Sequence, residues 1–91
     1  MNFDIEFNDL GKKGAVEATK TSLNITEDVT KPEVGVIKYI IQFPTERFVL
    51  HKVIRSQEWL PFALHPNIPD YIIQRTMVEI EKFEKEKKPE Y

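Results

Sequence analysis

Val34-Gly35-Val36-Ile37-Lys38-Tyr39-Ile40-Ile41-Gln42-Phe43-Pro44-Thr45-Glu46-Arg47-Phe48-Val49-Leu50-His51-Lys52-Val53-Ile54-Arg55 is the stretch on which the fold turns. Two runs rich in β-branched and aromatic residues flank a proline that presets φ for a turn. Residues 44–47 therefore read as the four-residue loop of a β-hairpin. Opposing Phe43 to Phe48 sets a register in which Ile41 faces Leu50, Tyr39 faces Lys52 and Ile37 faces Ile54. Three apolar pairs and one Tyr–Lys pair then share one face. Lys52 is expected to lay its methylenes over Tyr39 and send its ammonium to the edge.

In that register the opposite face sets Gln42 against Val49, Ile40 against His51, Lys38 against Val53 and Val36 against Arg55. It is half apolar and half polar. Such a face is too greasy to be an ordinary solvated surface and too polar to be a second core. Trp59 follows four residues after Arg55 and is expected at the border of the patch as an anchor. The candidate partner-binding residues are thus Val36, Lys38, Ile40, Gln42, Val49, His51, Val53, Arg55 and Trp59. A competing expectation is that residues 26–33 fold over the face within one molecule.

Upstream, Asn2 to Asn8 alternates, with Phe3, Ile5 and Phe7 on one side and Asp4 and Glu6 on the other. That is the period of a strand with one wet face. Asp9 to Gly14 supplies two glycines for a turn. Ala15 to Ile25 carries threonines and an odd-numbered alternation that favour a strand, although Ala15 and Ala18 would also suit a short helix. Thr26 to Glu33 is polar, contains Pro32 and reads as a loop.

Downstream, Ser56 to Ile68 reads as an irregular aromatic connection with Trp59, Phe62, His65 and two prolines. Pro69 and Asp70 then open a helix expected over about residues 69–87. Ile72, Ile73, Met77, Ile80 and Phe83 form its apolar stripe, Glu81–Lys85 and Glu84–Lys88 are i,i+4 pairs on its wet side, and Pro89 stops it. The expected architecture is one α+β domain over residues 1–91: a small, mostly antiparallel sheet of about four strands with the C-terminal helix packed on one face.

Composition narrows the function classes. The chain has 91 residues and no cysteine, which removes disulfides, thiolate metal sites and thiol nucleophiles together. One tryptophan, three tyrosines and six phenylalanines supply large pieces of core. The N-terminal residues carry acids where a secretion signal needs a basic start, and no apolar run approaches a membrane span. A cytoplasmic protein without membrane contact is expected, and the sequon Asn24-Ile25-Thr26 is read as chance.

No phosphate-binding glycine loop, zinc-binding helix or Cys/His cluster occurs, and no cofactor is expected. His51 and His65 follow no spacing rule. Ser22 and Ser56 lack a nucleophile motif, and Asp4 and Glu6 are most simply the solvated side of a strand. The formal net charge of −2 disfavours nucleic acid as a partner. The alternative is a weak nucleic-acid-binding domain using Lys38, His51, Lys52, Arg55 and Trp59, with Phe62 and Tyr71 as further stacking candidates. The expectation that ranks first is a small non-catalytic protein-binding module whose partner is another protein or a second copy of itself, forming a homodimer.

Overall fold

A computed structural model describes residues 1–23, 33–60 and 68–87. Four strands, β1 (Asn2–Phe7), β2 (Lys12–Leu23), β3 (Val34–Gln42) and β4 (Arg47–Val53), form one antiparallel sheet in the order β1-β2-β3-β4. The helix α1 (Asp70–Lys87) packs across one face. This is the small α+β architecture that the alternating runs and the single amphipathic stripe dictate. Residues 12–23 are a strand, as the threonines indicate. Residues 24–32 and 61–67, Lys88 and Pro89 lie outside the described residues. The same therefore holds for the sequon, Phe62, His65, almost all of the covering loop and the Glu84–Lys88 pair.

The core lies between sheet and helix. Phe3, Ile5 and Phe7 of β1, Val16 and Ala18 of β2, and Ile37, Tyr39 and Ile41 of β3 point into it. Phe43, Phe48 and Leu50 join them from the second hairpin. The helix supplies Ile72, Ile73, Met77 and Ile80, and Phe83 stacks on Phe3 with ring centroids 3.9 Å apart. Thr76 is buried in the same stripe because its Oγ1 donates to the Ile72 carbonyl at 2.7 Å, so no polar atom is stranded. The Pro69 carbonyl accepts the first helical bonds, from Ile72 and Ile73.

The β3–β4 register differs by two residues from the one expected. Gln42 opposes Arg47, Ile41 opposes Phe48, Tyr39 opposes Leu50 and Ile37 opposes Lys52. The loop starts one residue earlier, at Phe43, whose N–H donates to the Glu46 carbonyl at 2.8 Å. Gln42 Nε2 caps the loop by donating to the carbonyls of Phe43 (2.6 Å) and Glu46 (3.2 Å). Lys12 Nζ holds Glu46 from β2 at 2.6 Å. A slip of two preserves which side chains face the core, so hydrophobic alternation cannot detect it. Cross-strand chemistry does: the observed register opposes Ile40 to Val49 and Val36 to Val53, where the expected one set each against a polar residue.

Two further departures have local causes. Gly14 sits inside β2, not in a turn, because the Phe43 ring lies over it. A Cβ there would stand 2.6 Å from Phe43 Cε1. The described start of the expected irregular connection, residues 56–60, makes a tight turn and a short return along β4. Gln57, at φ 60°, donates to the Val53 carbonyl, and Val53 N–H donates to the Glu58 carbonyl. Leu60 N–H then donates to the His51 carbonyl, and Trp59 bridges Lys52, so residues 58–60 cover part of the outer edge of β4.

Lys52 is the unexpected member of the interior, only 3% exposed. Its ammonium does not reach an edge. It donates to Glu84 Oε1 on the helix, beneath the rings of Tyr39 (5.8 Å) and Trp59 (5.3 Å). Tyr39 Oη donates to the other oxygen of Glu84 at 2.7 Å, and Trp59 Nε1 donates to Glu81 Oε1 at 2.6 Å. Glu84 is thus an internal partner rather than a residue of the wet face.

Two stability outcomes follow. Lys52→Ala should cost about 3–5 kcal/mol by leaving the Glu84 carboxylate partly buried without its cation, whereas Lys52→Met with Glu84→Met should recover most of that loss. Urea denaturation of the two variants checks this. Gly14→Ala should cost about 1–3 kcal/mol by overpacking against Phe43. Gly35→Ala, whose added Cβ meets only Ile54 Cδ1 at 3.7 Å, should not show that penalty in the same melting experiment.

Candidate functional site

Because the helix takes one face of the sheet, the other face is built from the opposite parity of every strand. Four rows cross it in register. They are Asp4–Ala15–Gln42–Arg47, Asn2–Glu17–Ile40–Val49, Thr19–Lys38–His51 and Thr21–Val36–Val53. Eight of the nine candidate residues bear on this face or its end. Lys38, Ile40, Val49, His51 and Val53 are half-buried, Gln42 is exposed at the loop end, and Val36 is fully shielded. Arg55 does not oppose Val36; it is exposed in the turn after β4, beside Ser56.

The ninth, Trp59, lies apart. It follows the parity of Lys52, packs against Tyr39 with centroids 5.3 Å apart and donates to Glu81, so it belongs to the helix side. The five residues of the nucleic-acid alternative therefore do not make one surface. Lys52 and Trp59 are on the core side, while Lys38 and His51 are on the outer side.

The registered rows add residues that the hairpin alone did not reveal: Asp4, Ala15, Glu17 and Arg47. An open depression of about 530 Å³ lies over Ala15, bounded by Asp4 and Glu17 on one side and by Ile40, Gln42 and Arg47 on the other. The alternation of β1 marked Asp4 as outward-facing, but the odd-numbered alternation over residues 15–25 gave Glu17 the parity of Leu23, whereas the structure buries the even positions Val16 and Ala18 and turns Ala15 and Glu17 outward. Sequence alternation alone did not place these residues on one face. It could not place them beside Ile40, because the connection between β2 and β3 leaves their mutual register open.

Charge on the face is polarised. Asp4, Glu6 and Glu17 lie on the β1–β2 half, with Lys13 beside Glu6; Lys38, His51 and Arg47 lie on the β3–β4 half. Among the described residues, Asp4, Glu17, Lys38 and Arg47 have no ion-pair partner. Burial holds the His51 pKa below the ordinary histidine value, and the neighbouring Lys38 charge pushes it the same way. The folded environment therefore favours the neutral imidazole.

What this surface can do chemically is limited and clear. It offers apolar side chains separated by hydrogen-bonding and charged groups. Among the described residues, no three histidine or acidic side chains gather as a metal site requires. The other polar cluster, at Lys52, borders a cleft of about 310 Å³ with Gln57, Glu81 and Lys85, but its ammonium is already engaged by Glu84. Among the described residues no helix is long and apolar enough to cross a membrane. No protein-family model matches the chain, and no curated protein or solved structure matches it.

The His51 shift fixes a pH dependence. Its pKa is lower folded than unfolded, so the unfolded chain takes up a proton first as pH falls below about 6.5. Stability should decline through that window and level off below the folded pKa. His51→Gln should flatten the decline between pH 7 and pH 5, measured by denaturation at each pH. The exposed Asp9–Arg75 pair contributes separately and at lower pH, because Arg75 holds the Asp9 carboxyl below its usual 3.8.

Proposed function

We propose that the protein is a small non-catalytic protein-binding module, an accessory regulator, inhibitor or subunit, acting through the outer face of β3 and β4. The observation that carries this reading is the pairing of apolar with apolar residues on the face opposite the helix. Ile40–Val49 and Val36–Val53 alternate with Lys38–His51 and Gln42–Arg47, and because Val36 is fully shielded the accessible apolar side chains are Ile40, Val49 and Val53. A face used only for contact with water has no need of the branched residues, and a face used only for internal packing has no need of the polar rows. Apolar strips within a polar frame are the composition of an interface centre. An environment that favours the neutral imidazole of His51 lowers the cost of covering the middle of the face. A cytoplasmic setting belongs to the same proposal and is supported by the absence of cysteine.

Site-directed photo-crosslinking in the producing cell tests it. A photoreactive residue at Val49 should give a protein adduct, whereas one at Val78, exposed on the helix, should not. Ile40→Glu with Lys38→Glu should remove the position-49 adduct without unfolding the chain, as judged by its circular dichroism. Adducts from position 78 and none from position 49 would overturn the assignment of the face.

A further inference from the structure

Beyond the outer face, we propose a second interaction surface: the open edge of β1, which adds to the sheet an extended segment of another protein whose basic residues alternate with apolar ones. The hydrogen bonds of β1 define this edge. Met1 N donates to the Ala18 carbonyl at 2.7 Å, and Ala18 N–H donates back to the Met1 carbonyl at 2.8 Å. In an antiparallel ladder such two-bond pairs recur at every second residue. The same register opposes Phe3 to Val16, Ile5 to Gly14 and Phe7 to Lys12, so the odd residues of β1 bond to β2. The N–H and C=O groups of Asn2, Asp4 and Glu6 therefore point away from the sheet. Among the described residues no backbone group meets them.

The two edges of the sheet are treated differently. On β4, the outward groups of Val53 and His51 are met by Glu58 and Leu60 of the returning chain, which leaves those of Arg47 and Val49. A second copy suits neither edge. Pairing β1 with β1 in the antiparallel sense opposes even residues to even residues. Centred on Asp4, it sets Asp4 against Asp4; centred on Ile5, it sets Asp4 against Glu6 twice. Like charges directly opposite are destabilising, which is how charged edge strands avoid their own kind. Pairing β1 with β4 of another copy meets the return at residues 58–60 after Val49.

Charge instead selects a basic strand. Asp4 and Glu6 are exposed, and neither forms an ion pair among the described residues. Residues of an incoming strand that bond to Asp4 and Glu6 share the outer face with them, so a cation at each position completes a cross-strand pair. Lys13 stands behind Glu6, but Glu17 adds a further acid in the depression that borders Asn2 and Asp4. The residue between the two cations lies opposite Ile5, on the side of the buried Phe3, Ile5 and Phe7, where a β-branched side chain fits. The recognised pattern is thus basic–apolar–basic in extended conformation, held by main-chain bonds.

Amide exchange and peptide titration of the full chain, followed by NMR, test this. In the free protein the amides of Asp4 and Glu6 should exchange at least about tenfold faster than that of Ile5. The peptide Val-Lys-Val-Arg-Val-Thr, which sets Lys against Glu6 and Arg against Asp4, should bind and at saturation slow both edge amides about tenfold. Replacing its Lys and Arg by Glu should weaken binding about tenfold or more. N-methylation of its Lys and Arg should abolish binding, whereas N-methylation of the valine between them, whose N–H faces away, should not. Asp4→Lys with Glu6→Lys should reverse the preference toward the Glu-containing peptide. Both positions are exposed, so an unchanged melting temperature shows that this variant folds.

Slow exchange at Asp4 and Glu6 in the free chain overturns the inference, because the edge is then already covered. So does a failure of the basic peptide to bind, equal binding of its Glu form, or indifference to where the methyl groups are placed. Crosslinking at Val49 reads the outer face independently, so either surface can fail without the other.

Discussion

A lysine held inside the core is the constraint around which the remaining structure is arranged. Lys52 is drawn under Tyr39 and Trp59 to Glu84, and removing an ammonium from water is tolerable only when an anion and polarisable rings replace the lost hydration. Each replacement comes from a different element. Tyr39 belongs to β3, Glu84 to the helix and Trp59 to the segment that folds back along β4. Satisfying one cation thus joins three parts of the chain that hydrophobic contact alone would leave free to slide. At the other end of the helix, Arg75 pairs with Asp9 and lies 5.6 Å from the Phe7 ring, so the helix is fixed to the sheet at two separated points.

That constraint also divides the molecule chemically. Tyr39, Lys52, Trp59, Glu81 and Glu84 are the side chains that a search for reactive groups would single out, and each is engaged in joining sheet to helix. The outer face received a different set: valine, isoleucine, threonine and unpaired charges in registered rows. An inward polar cluster holds the fold together, and the apolar residues of the outer face take no part in it.

The sequence made some of this legible and hid the rest for identifiable reasons. Strand, helix and facing were readable because period two and period 3.6 leave different marks; Phe3, Ile5 and Phe7, or Ile72, Ile73, Met77 and Ile80, admit little else. Register was not readable, because Phe43 opposite Phe48 and Ile41 opposite Phe48 bury the same residues. Choosing between them required the cap of Gln42 on the Phe43–Glu46 loop, a local polar contact that hydrophobic alternation does not report, and the hold of Lys12 on Glu46, 34 positions away. Gly14 looked like a turn residue because the ring it accommodates lies 29 positions further along the chain. Glu84 looked solvated because an i,i+4 lysine is the commoner partner of a helical glutamate. Gly14 and Glu84 were missed because their partners lie far away in sequence, and the register because a slip of two leaves the periodicity unchanged.

The corrected register changes the character of the outer face as well as its geometry. With every branched residue opposed to a polar one, the face would be a uniform mixture, and any docked surface would have to cover polar groups wherever it buried apolar ones. With like opposed to like, the apolar area is gathered into strips about 7 Å wide, with hydrogen-bonding rows between them. A strip of that width is narrow enough to limit indiscriminate sticking, because no broad greasy area is presented. A surface docked on Ile40 and Val49 would have to meet the neighbouring Gln42–Arg47 and Lys38–His51 rows as well, while Val36 at the far end is already shielded. The contacts that settle how β3 meets β4 thus also settle which side chains share a row on the outer face, and with them the pattern any docked surface would have to complement.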